Sequence, residues 1–167
     1  MYKFPIKFRD VYLESFNSNS VWTNNDGPDN GPCINFDGSD DSHIKLSNTF
    51  YKYFHAVSFT VCFWVKFNDT TGNAYMLEVY KGSSTRQHLH IGRRQTDHKI
   101  RFGFNNDDLD SNTLFNNNSR WYHLAFTFSS SSLTKKIYAD GVLDNSGTAG
   151  GVLDVNPTTD LYIGRYS

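Results

Sequence analysis

Three aromatic side chains and one histidine are the residues of this sequence best suited to hold a ligand. Trp64, Trp121, Tyr138 and His123 all fall in stretches whose alternation predicts β-strands. An aromatic face stacks on the apolar face of a pyranose ring, much as it accepts a cation or another ring. The alternation turns Trp64 away from the apolar side of its strand. These four residues therefore predict a sugar-binding surface, and packing inside the protein is the alternative for the tryptophans.

Acidic loop residues are the candidates for a metal site. Calcium takes about six to eight oxygen ligands from carboxylates and carbonyls. Asp26, Asp29 and Asn30 lie in a Gly- and Pro-rich stretch, and with neighbouring carbonyls they predict at most one calcium site. The alternative is that these acids are solvated and only favour turns. A second acidic cluster lies in residues 105–112 and contains Asp107, Asp108 and Asp110.

Residues for catalysis are not grouped in the sequence. A hydrolase with two carboxylates needs an acid and a base about 5–10 Å apart, and the two glutamates, Glu14 and Glu78, lie far apart in the chain. His88 and His90 share one side of a predicted strand and could bind zinc. No cysteine or carboxylate stands beside them, so we expect surface or half-buried histidines. The sequence predicts that the protein is not an enzyme, with a polysaccharide hydrolase or lyase as a less favoured alternative.

Two long strands must position the aromatic residues. Residues 59–67 alternate between large apolar and other side chains, and residues 120–128 repeat the pattern. Each strand has one heavily apolar side, which needs a second sheet to pack against. About ten short strands with frequent turns follow from the rest of the chain, and the strongest hairpin signal is Asp140-Gly141. The predicted fold is an all-β, two-sheet antiparallel β-sandwich of the jelly-roll type.

The composition of the chain limits the classes of protein to which it can belong. Its 167 residues suit one domain, which we divide into an N-terminal extension (1–32) and a sandwich (33–167) that the extension completes. The formal net charge of −1 argues against a nucleic-acid partner. No apolar run approaches the roughly 20 residues that cross a bilayer, so no membrane insertion is expected. Cys33 and Cys62 could form one disulfide or remain two free thiols.

Five ordered segments resemble the laminin G-like, concanavalin A-like lectin/glucanase superfamily, which includes the pentraxins. The resemblance implies a jelly roll whose loops or concave face bind ligands, often sugars and often with calcium. Two of the family's sites have no counterpart here, since residues 83–88 lack the acids of a pentraxin calcium loop and no strand carries a Glu-x-Asp-x-x-Glu cluster. The segments are INFDGSDD at 34–41, FTVCFWVK at 59–66, WYHLA at 121–125, IYADG at 137–141 and LYIGR at 161–165.

The leading functional hypothesis is a non-catalytic binding module of the lectin or cell-adhesion kind. Its partner would be a glycan or a surface glycoprotein, with calcium assisting. The alternative is a structural or assembly domain of a surface or virion fibre protein that binds no sugar. The first residues lack the pattern of a signal peptide. We therefore expect an extracellular, cell-surface or virion location as part of a larger protein.

The last family-like segment, residues 161–165, predicts an open sheet edge. Relatives continue into a closing strand after it, whereas only two residues follow here. An open apolar edge favours self-association. Residues 4–14 alternate suitably, and we predict that they occupy the vacant position beside the last strand.

Overall fold

The computed structural model describes residues 13–16, 21–23, 25–37, 42–68, 72–117, 119–156 and 160–165. These residues form thirteen strands and two short 3₁₀ helices, Pro28–Asn30 and Asn48–Tyr53. No helix in the described ranges is long and apolar enough to cross a membrane. The strands are β1 Leu13–Phe16, β2 Val21–Thr23, β3 Cys33–Asn35, β4 Ile44–Leu46, β5 Phe59–Val65, β6 Ala74–Tyr80, β7 His88–Arg93, β8 Lys99–Gly103, β9 Asp108–Leu114, β10 Tyr122–Ser129, β11 Thr134–Ala139, β12 Val142–Thr148 and β13 Asp160–Ile163.

Two antiparallel sheets make up the fold. The large sheet has seven strands in the order β1-β4-β13-β6-β7-β8-β9, and the small sheet has four in the order β12-β11-β10-β5. A separate two-stranded ribbon joins β2 to β3. The predicted all-β, two-sheet antiparallel sandwich is therefore confirmed.

The two long strands recognised in the sequence are direct neighbours in the small sheet. In the antiparallel ladder between β5 and β10, Phe63 lies opposite Leu124 and Val61 opposite Phe126. Phe63, Leu124 and Phe126 are buried, and the residues that alternate with them along each strand are partly or fully exposed. The strand β5 lies at the edge of this sheet and β10 lies inside it. One side of each strand thus faces the core, as the alternation predicts.

The core between the sheets is built on contacts between phenylalanine rings. Phe126 of the small sheet is fully buried, and its ring centroid lies 5.6 Å from that of Phe102 in the large sheet. A second contact across the interior joins Phe104 to Phe128 at 5.0 Å with nearly perpendicular rings. Edge-to-face contacts of this kind add to the free energy gained from burying apolar area. These ring contacts fix how the two sheets lie on each other.

The hairpin between β11 and β12 has the turn that the sequence predicts. Ala139 pairs with Val142, so Asp140 and Gly141 form a two-residue loop. Both have positive φ, 51° and 82°, which is the requirement of a type I′ turn. The Asp140 carboxylate also accepts a hydrogen bond from the backbone N–H of His123 at 2.9 Å. The turn therefore ties the hairpin to the end of β10.

Two strands lie where the sequence predicts loops. Residues 105–112 are acidic and residues 144–158 are punctuated by glycine and proline, so both segments predict loops. The first contains the start of β9, and the second contains most of β12. Both are edge strands of their sheets. The Asp144 carboxylate of β12 accepts hydrogen bonds from the backbone N–H groups of Asn112 and Thr113 in β9, at 2.7 and 3.0 Å. Their strand conformation rests on these polar contacts, so neither segment shows an apolar alternation.

The predicted open edge beside the last strand is wrong. The strand β13 lies between β4 and β6 and pairs with both, with Leu161 opposite Leu46 on one side and Val79 on the other. The N-terminal strand β1 joins the same large sheet by pairing with β4. The rest of the segment predicted to close the sheet, residues 4–12, lies outside the described residues. The domain boundary at residues 32/33 stays a prediction.

The two cysteines do not pair. Cys33 is buried in β3, where its sulfur lies 3.0 Å from the Thr23 hydroxyl. Cys62 is exposed on β5. Of the two possibilities left by the sequence, the structure has two free thiols.

Phe126→Ala should destabilise the fold strongly, because the cavity it leaves touches rings from both sheets. We expect the free energy of unfolding to fall by about 3–5 kcal/mol. Urea denaturation at fixed pH measures this loss. Val142→Ala is the control, since Val142 is 70% exposed and its truncation should change stability by less than about 0.5 kcal/mol. A loss below about 1 kcal/mol for Phe126→Ala would contradict the assigned core.

Candidate functional site

The outward side of the small sheet carries the aromatic residues predicted to bind sugar. Trp64 on β5 is 37% exposed although it is a large apolar side chain. His123 lies opposite it on β10, and the two rings meet edge-on with centroids 5.2 Å apart. The side chains on either side of them in sequence point into the core. Trp64 is therefore not core packing, and its ring is held by a neighbour while part of its surface stays in solvent.

Tyr138 shares this side of the sheet. The next row across the strands runs Cys62, Ala125, Tyr138 and Leu143. Ala125 lies at the centre of this row, and its small side chain puts little bulk between the Trp64–His123 pair and Tyr138. The predicted residues on β5, β10 and β11 thus lie on one surface, and Leu143, which is 49% exposed, ends its row.

Trp121 lies just before β10 and is held by charged neighbours. The Lys66 ammonium lies 5.5 Å from the centre of the Trp121 ring. The same ammonium donates a hydrogen bond to the Asp26 carboxylate at 2.9 Å. Trp121 is half-buried. Packing inside the protein, which the sequence left open as the alternative for the tryptophans, thus describes Trp121 better than Trp64.

A groove opens at the other end of the same surface. Its volume is about 530 Å³ and it lies where β5, β10 and β11 run side by side. Six hydroxyl side chains and one lysine, Lys136, contribute to its lining. We call it the hydroxyl groove, and its hydroxyl residues are Ser58, Thr60, Thr127, Ser129, Ser132 and Thr134. No sequence motif predicts this groove, although the alternation that places Trp64 on the outward side of β5 also places Thr60 there.

The predicted calcium site at Asp26, Asp29 and Asn30 stays a prediction, and the structure shows what surrounds these residues. The Asp26 carboxylate is bound to the Lys66 ammonium at 2.9 Å, and a cation beside the carboxylate opposes the binding of a second one. Asp29 and Asn30 are exposed in the 3₁₀ helix Pro28–Asn30. Within the described part of the chain, no group of three or more His, Cys, Asp or Glu residues is placed to hold a metal ion.

The second acidic cluster is neutralised by basic residues. Arg101 donates to both oxygens of the Asp110 carboxylate, at 2.8 and 2.9 Å, and Arg94 adds a third contact at 2.7 Å. These hydrogen bonds, the one from Arg101 first, hold the pKa of Asp110 below its usual range. Asp107 pairs with the ammonium of Lys135 at 3.0 Å. These acids are therefore not solvated turn formers, and their charges are already used inside the protein.

A compact acid–histidine layer lies on the side of the large sheet that faces away from the phenylalanine core. The Glu78 carboxylate is fully buried and lies 2.7 Å from Nε2 of His88. His88 packs on His90 with centroids 4.8 Å apart, and Nε2 of His90 lies 3.7 Å from Asp108. The expectation of surface or half-buried histidines is therefore wrong, since His88 and His90 are 4% and 6% exposed. Pairing across strands buries them and brings in acids that are distant in sequence.

Burial dominates the electrostatics of this layer. It lowers the pKa of His90 from an ordinary 6.5 to about 3, with His88 and then Arg101 adding to the effect. A Cβ atom at Gly103 would collide with the His90 ring, so only glycine allows the imidazole to lie so close. Glu78 has no exposed surface through which a substrate could reach it. An acid or base for hydrolysis would need an accessible carboxylate.

A family model described as the concanavalin A-like lectin/glucanases superfamily, of the laminin G type, matches residues 37–167. The chain belongs to this superfamily. The match covers β4 to β13, including both long strands and the last strand that suggested the resemblance. No curated protein matches the sequence.

Solved structures agree with this fold at low sequence identity. One is domain 4 of AbnA, an extracellular GH43 arabinanase of Geobacillus stearothermophilus, which was solved with arabinotriose. Its TM-score is 0.62 at 17% sequence identity, and the alignment covers 89% of this chain and 68% of that structure. The binding domain of botulinum neurotoxin DC, solved with SialylT, has a TM-score of 0.52 at 16% identity, covering 93% and 37%. A Bacteroides ovatus protein has a TM-score of 0.52 at 18% identity, covering 65% and 31%. The chain thus spans about a third of the last two structures, and likeness at this identity shows the fold alone.

Replacing His90 with a residue that cannot be protonated should make the protein less sensitive to acid. Between pH 6.5 and about 3, the unfolded chain binds a proton at His90 that the folded protein does not. The wild-type free energy of unfolding should therefore fall as the pH drops below 6.5, by up to about 1.4 kcal/mol per pH unit from this group. Urea denaturation at pH 7.5, 6.0 and 5.0 measures the slope.

His90→Gln should flatten this decline, and His123→Gln, which alters a half-buried histidine of the small sheet, should keep it. Equal slopes for wild type and His90→Gln between pH 6.5 and 5 would show that His90 is not the group responsible.

Proposed function

We propose that this chain is a non-catalytic carbohydrate-binding module whose ligand lies on the outward side of the small sheet. One observation carries the proposal: Trp64 stands 37% exposed beside His123, on a surface that continues into the hydroxyl groove. An aromatic ring with a free face next to hydrogen-bonding side chains suits a sugar, since a pyranose has an apolar face and a rim of hydroxyl groups.

The geometry of the surface also suits an extended ligand. Trp64 and Thr60 are four residues apart on β5, which is about 13 Å along a strand. A ligand that covers both the Trp64–His123 pair and the groove is therefore longer than one sugar ring. Tyr138 lies in the row between them and supplies a second aromatic surface. We infer an oligosaccharide lying roughly along the strands.

Relatives of the same fold support a sugar as the ligand. One was solved with arabinotriose and another with SialylT. We extend this to a glycan or surface glycoprotein as the partner and to an extracellular setting for the domain. The assembly alternative drew on an open edge beside the last strand, and β13 has neighbours on both sides.

Trp64→Ala should weaken sugar binding at least about tenfold, because truncating a central aromatic contact typically costs more than 1 kcal/mol. A glycan array identifies a ligand, and calorimetry with the best-bound oligosaccharide measures the affinity of each variant. Tyr80→Ala is the matched control, since Tyr80 is 40% exposed but belongs to the large sheet. It should bind like the wild type. Binding to no glycan by a cooperatively folded protein would refute the proposal, and equal loss in both variants would place the site elsewhere.

Calcium assistance is a separate prediction, with Asp26, Asp29 and Asn30 as the ligands. Lys66→Met would remove the cation that opposes calcium beside the Asp26 carboxylate, so added calcium should raise the melting temperature of this variant more than that of the wild type. Thermal melts with calcium and with a chelator measure the difference. Unchanged melting curves in both proteins would remove calcium from the account.

A further inference from the structure

One row of the hydroxyl groove carries polar groups that the protein itself does not use. Thr60, Thr127 and Lys136 lie side by side on β5, β10 and β11, since Thr60 pairs with Thr127 and Thr127 with Lys136. Adjacent strands are about 4.8 Å apart, so the row is about 10 Å long. Across the described ranges, no hydrogen bond or ion pair engages any of these three side chains. The row thus keeps two hydroxyl donors and one ammonium for a ligand.

The other hydroxyls of the groove are already committed. The Ser58 hydroxyl contacts that of Ser130 at 3.0 Å and accepts from the Ser130 N–H at 2.9 Å. The Ser132 hydroxyl lies within hydrogen-bond distance of the hydroxyls of Ser129 and Thr134, at 2.9 and 3.0 Å. This serine-rich wall is held in place by its own bonds. A fixed wall beside an uncommitted row is the arrangement of a preorganised site.

The charge of the groove is positive and uncompensated. Lys136 is the one charged residue among the residues that line it. Asp144, an acid of the neighbouring strand β12, accepts hydrogen bonds from the backbone N–H groups of Asn112 and Thr113. The preceding residue, Lys135, faces the interior and pairs with Asp107. Lys136 therefore presents a cation with hydroxyl donors beside it and no internal partner in the described residues.

We propose that the row Thr60–Thr127–Lys136 binds the negatively charged group of an acidic saccharide, a carboxylate or a sulfate. This proposal rests on the proposed sugar-binding function and names the class of its ligand. The ammonium supplies a charge-assisted hydrogen bond, and the threonine hydroxyls donate to the other oxygens of the same group. The sugar chain attached to that group runs along the strands toward Tyr138 and Trp64.

The same chemistry argues against other anions. A nucleic acid carries a charge on every nucleotide and needs many cations along its path, whereas the groove offers one. The chain as a whole is nearly neutral, with a formal net charge of −1. A single cation among hydroxyls matches a ligand that is mostly polar and carries one acidic group per site.

Paired probes test the proposal. Lactose, sialyllactose and sulfated lactose share a neutral frame and differ in the presence and kind of the acidic group. Calorimetry with wild-type protein should give at least about tenfold tighter binding for one acidic probe than for lactose, in the range of a charge-assisted hydrogen bond. Raising the salt concentration from about 50 to about 500 mM should reduce this preference, because salt of that order screens an exposed charge pair.

Three variants locate the charge. Lys136→Gln should abolish the preference for the acidic probe while keeping the affinity for lactose, and Lys136→Arg should retain it. Lys99→Gln, which removes a lysine from the large sheet, is the matched control and should behave like the wild type. Circular dichroism and melting curves confirm that each variant folds.

The outcomes separate the two proposals. Equal binding of lactose and both acidic probes, with loss of all binding in Trp64→Ala, would overturn the acidic-group assignment and leave sugar binding intact. A preference that persists in Lys136→Gln would place the charge contact elsewhere and would also overturn the assignment. Absence of binding to all three probes and to every glycan of an array would refute the proposed function and this inference together.

Discussion

The packing of phenylalanine rings between the two sheets is the contact on which the rest of this structure depends. A sheet with one apolar face is stable only when that face is covered. Here Phe102 of β8 and Phe104, which directly follows β8, meet Phe126 and Phe128 of the small sheet. Since successive side chains on a strand point to opposite faces, every residue buried in this core fixes its two neighbours on an outward face. The chemistry of both outward faces is therefore set by the positions between the core residues.

The two outward faces use their polar residues in opposite ways. On the large sheet, Glu78, His88 and His90 are buried against one another, and Arg101 is held by Asp110. Buried charges need partners of this kind because water is excluded from them. On the small sheet, Thr60 and Lys136 stay at the surface without such partners in the described residues. The polar groups of the large-sheet face are thus paired with one another, whereas Thr60 and Lys136 of the small-sheet face are groups that we propose bind a ligand.

A buried ion pair links the loops to the core near the groove. Lys135 is 2% exposed, its ammonium lies 4.7 Å from the centre of the Phe104 ring, and it pairs with Asp107. Burial lowers the pKa of Lys135, while the hydrogen bond and charge of Asp107 raise it and so favour the cation. The Asp107 carboxylate also accepts from the N–H of Gly150. These contacts hold β11 in place, and β11 carries Lys136 on its other side.

The sequence alone determined the strands with strong apolar alternation, including residues 59–67 and 120–128, and the Asp140-Gly141 hairpin, because each rests on local periodicity or local backbone preference. It also predicted that Trp64 points outward, and it suggested the superfamily. Tertiary structure decided what depends on partners distant in the chain. It made strands of the polar segments around Asp108 and Asp144, gave the last strand its second neighbour in β4, and set Glu78 against His88. It also aligned Thr60, Thr127 and Lys136 in one row, since strand register across a sheet is fixed by long-range packing that no local pattern records.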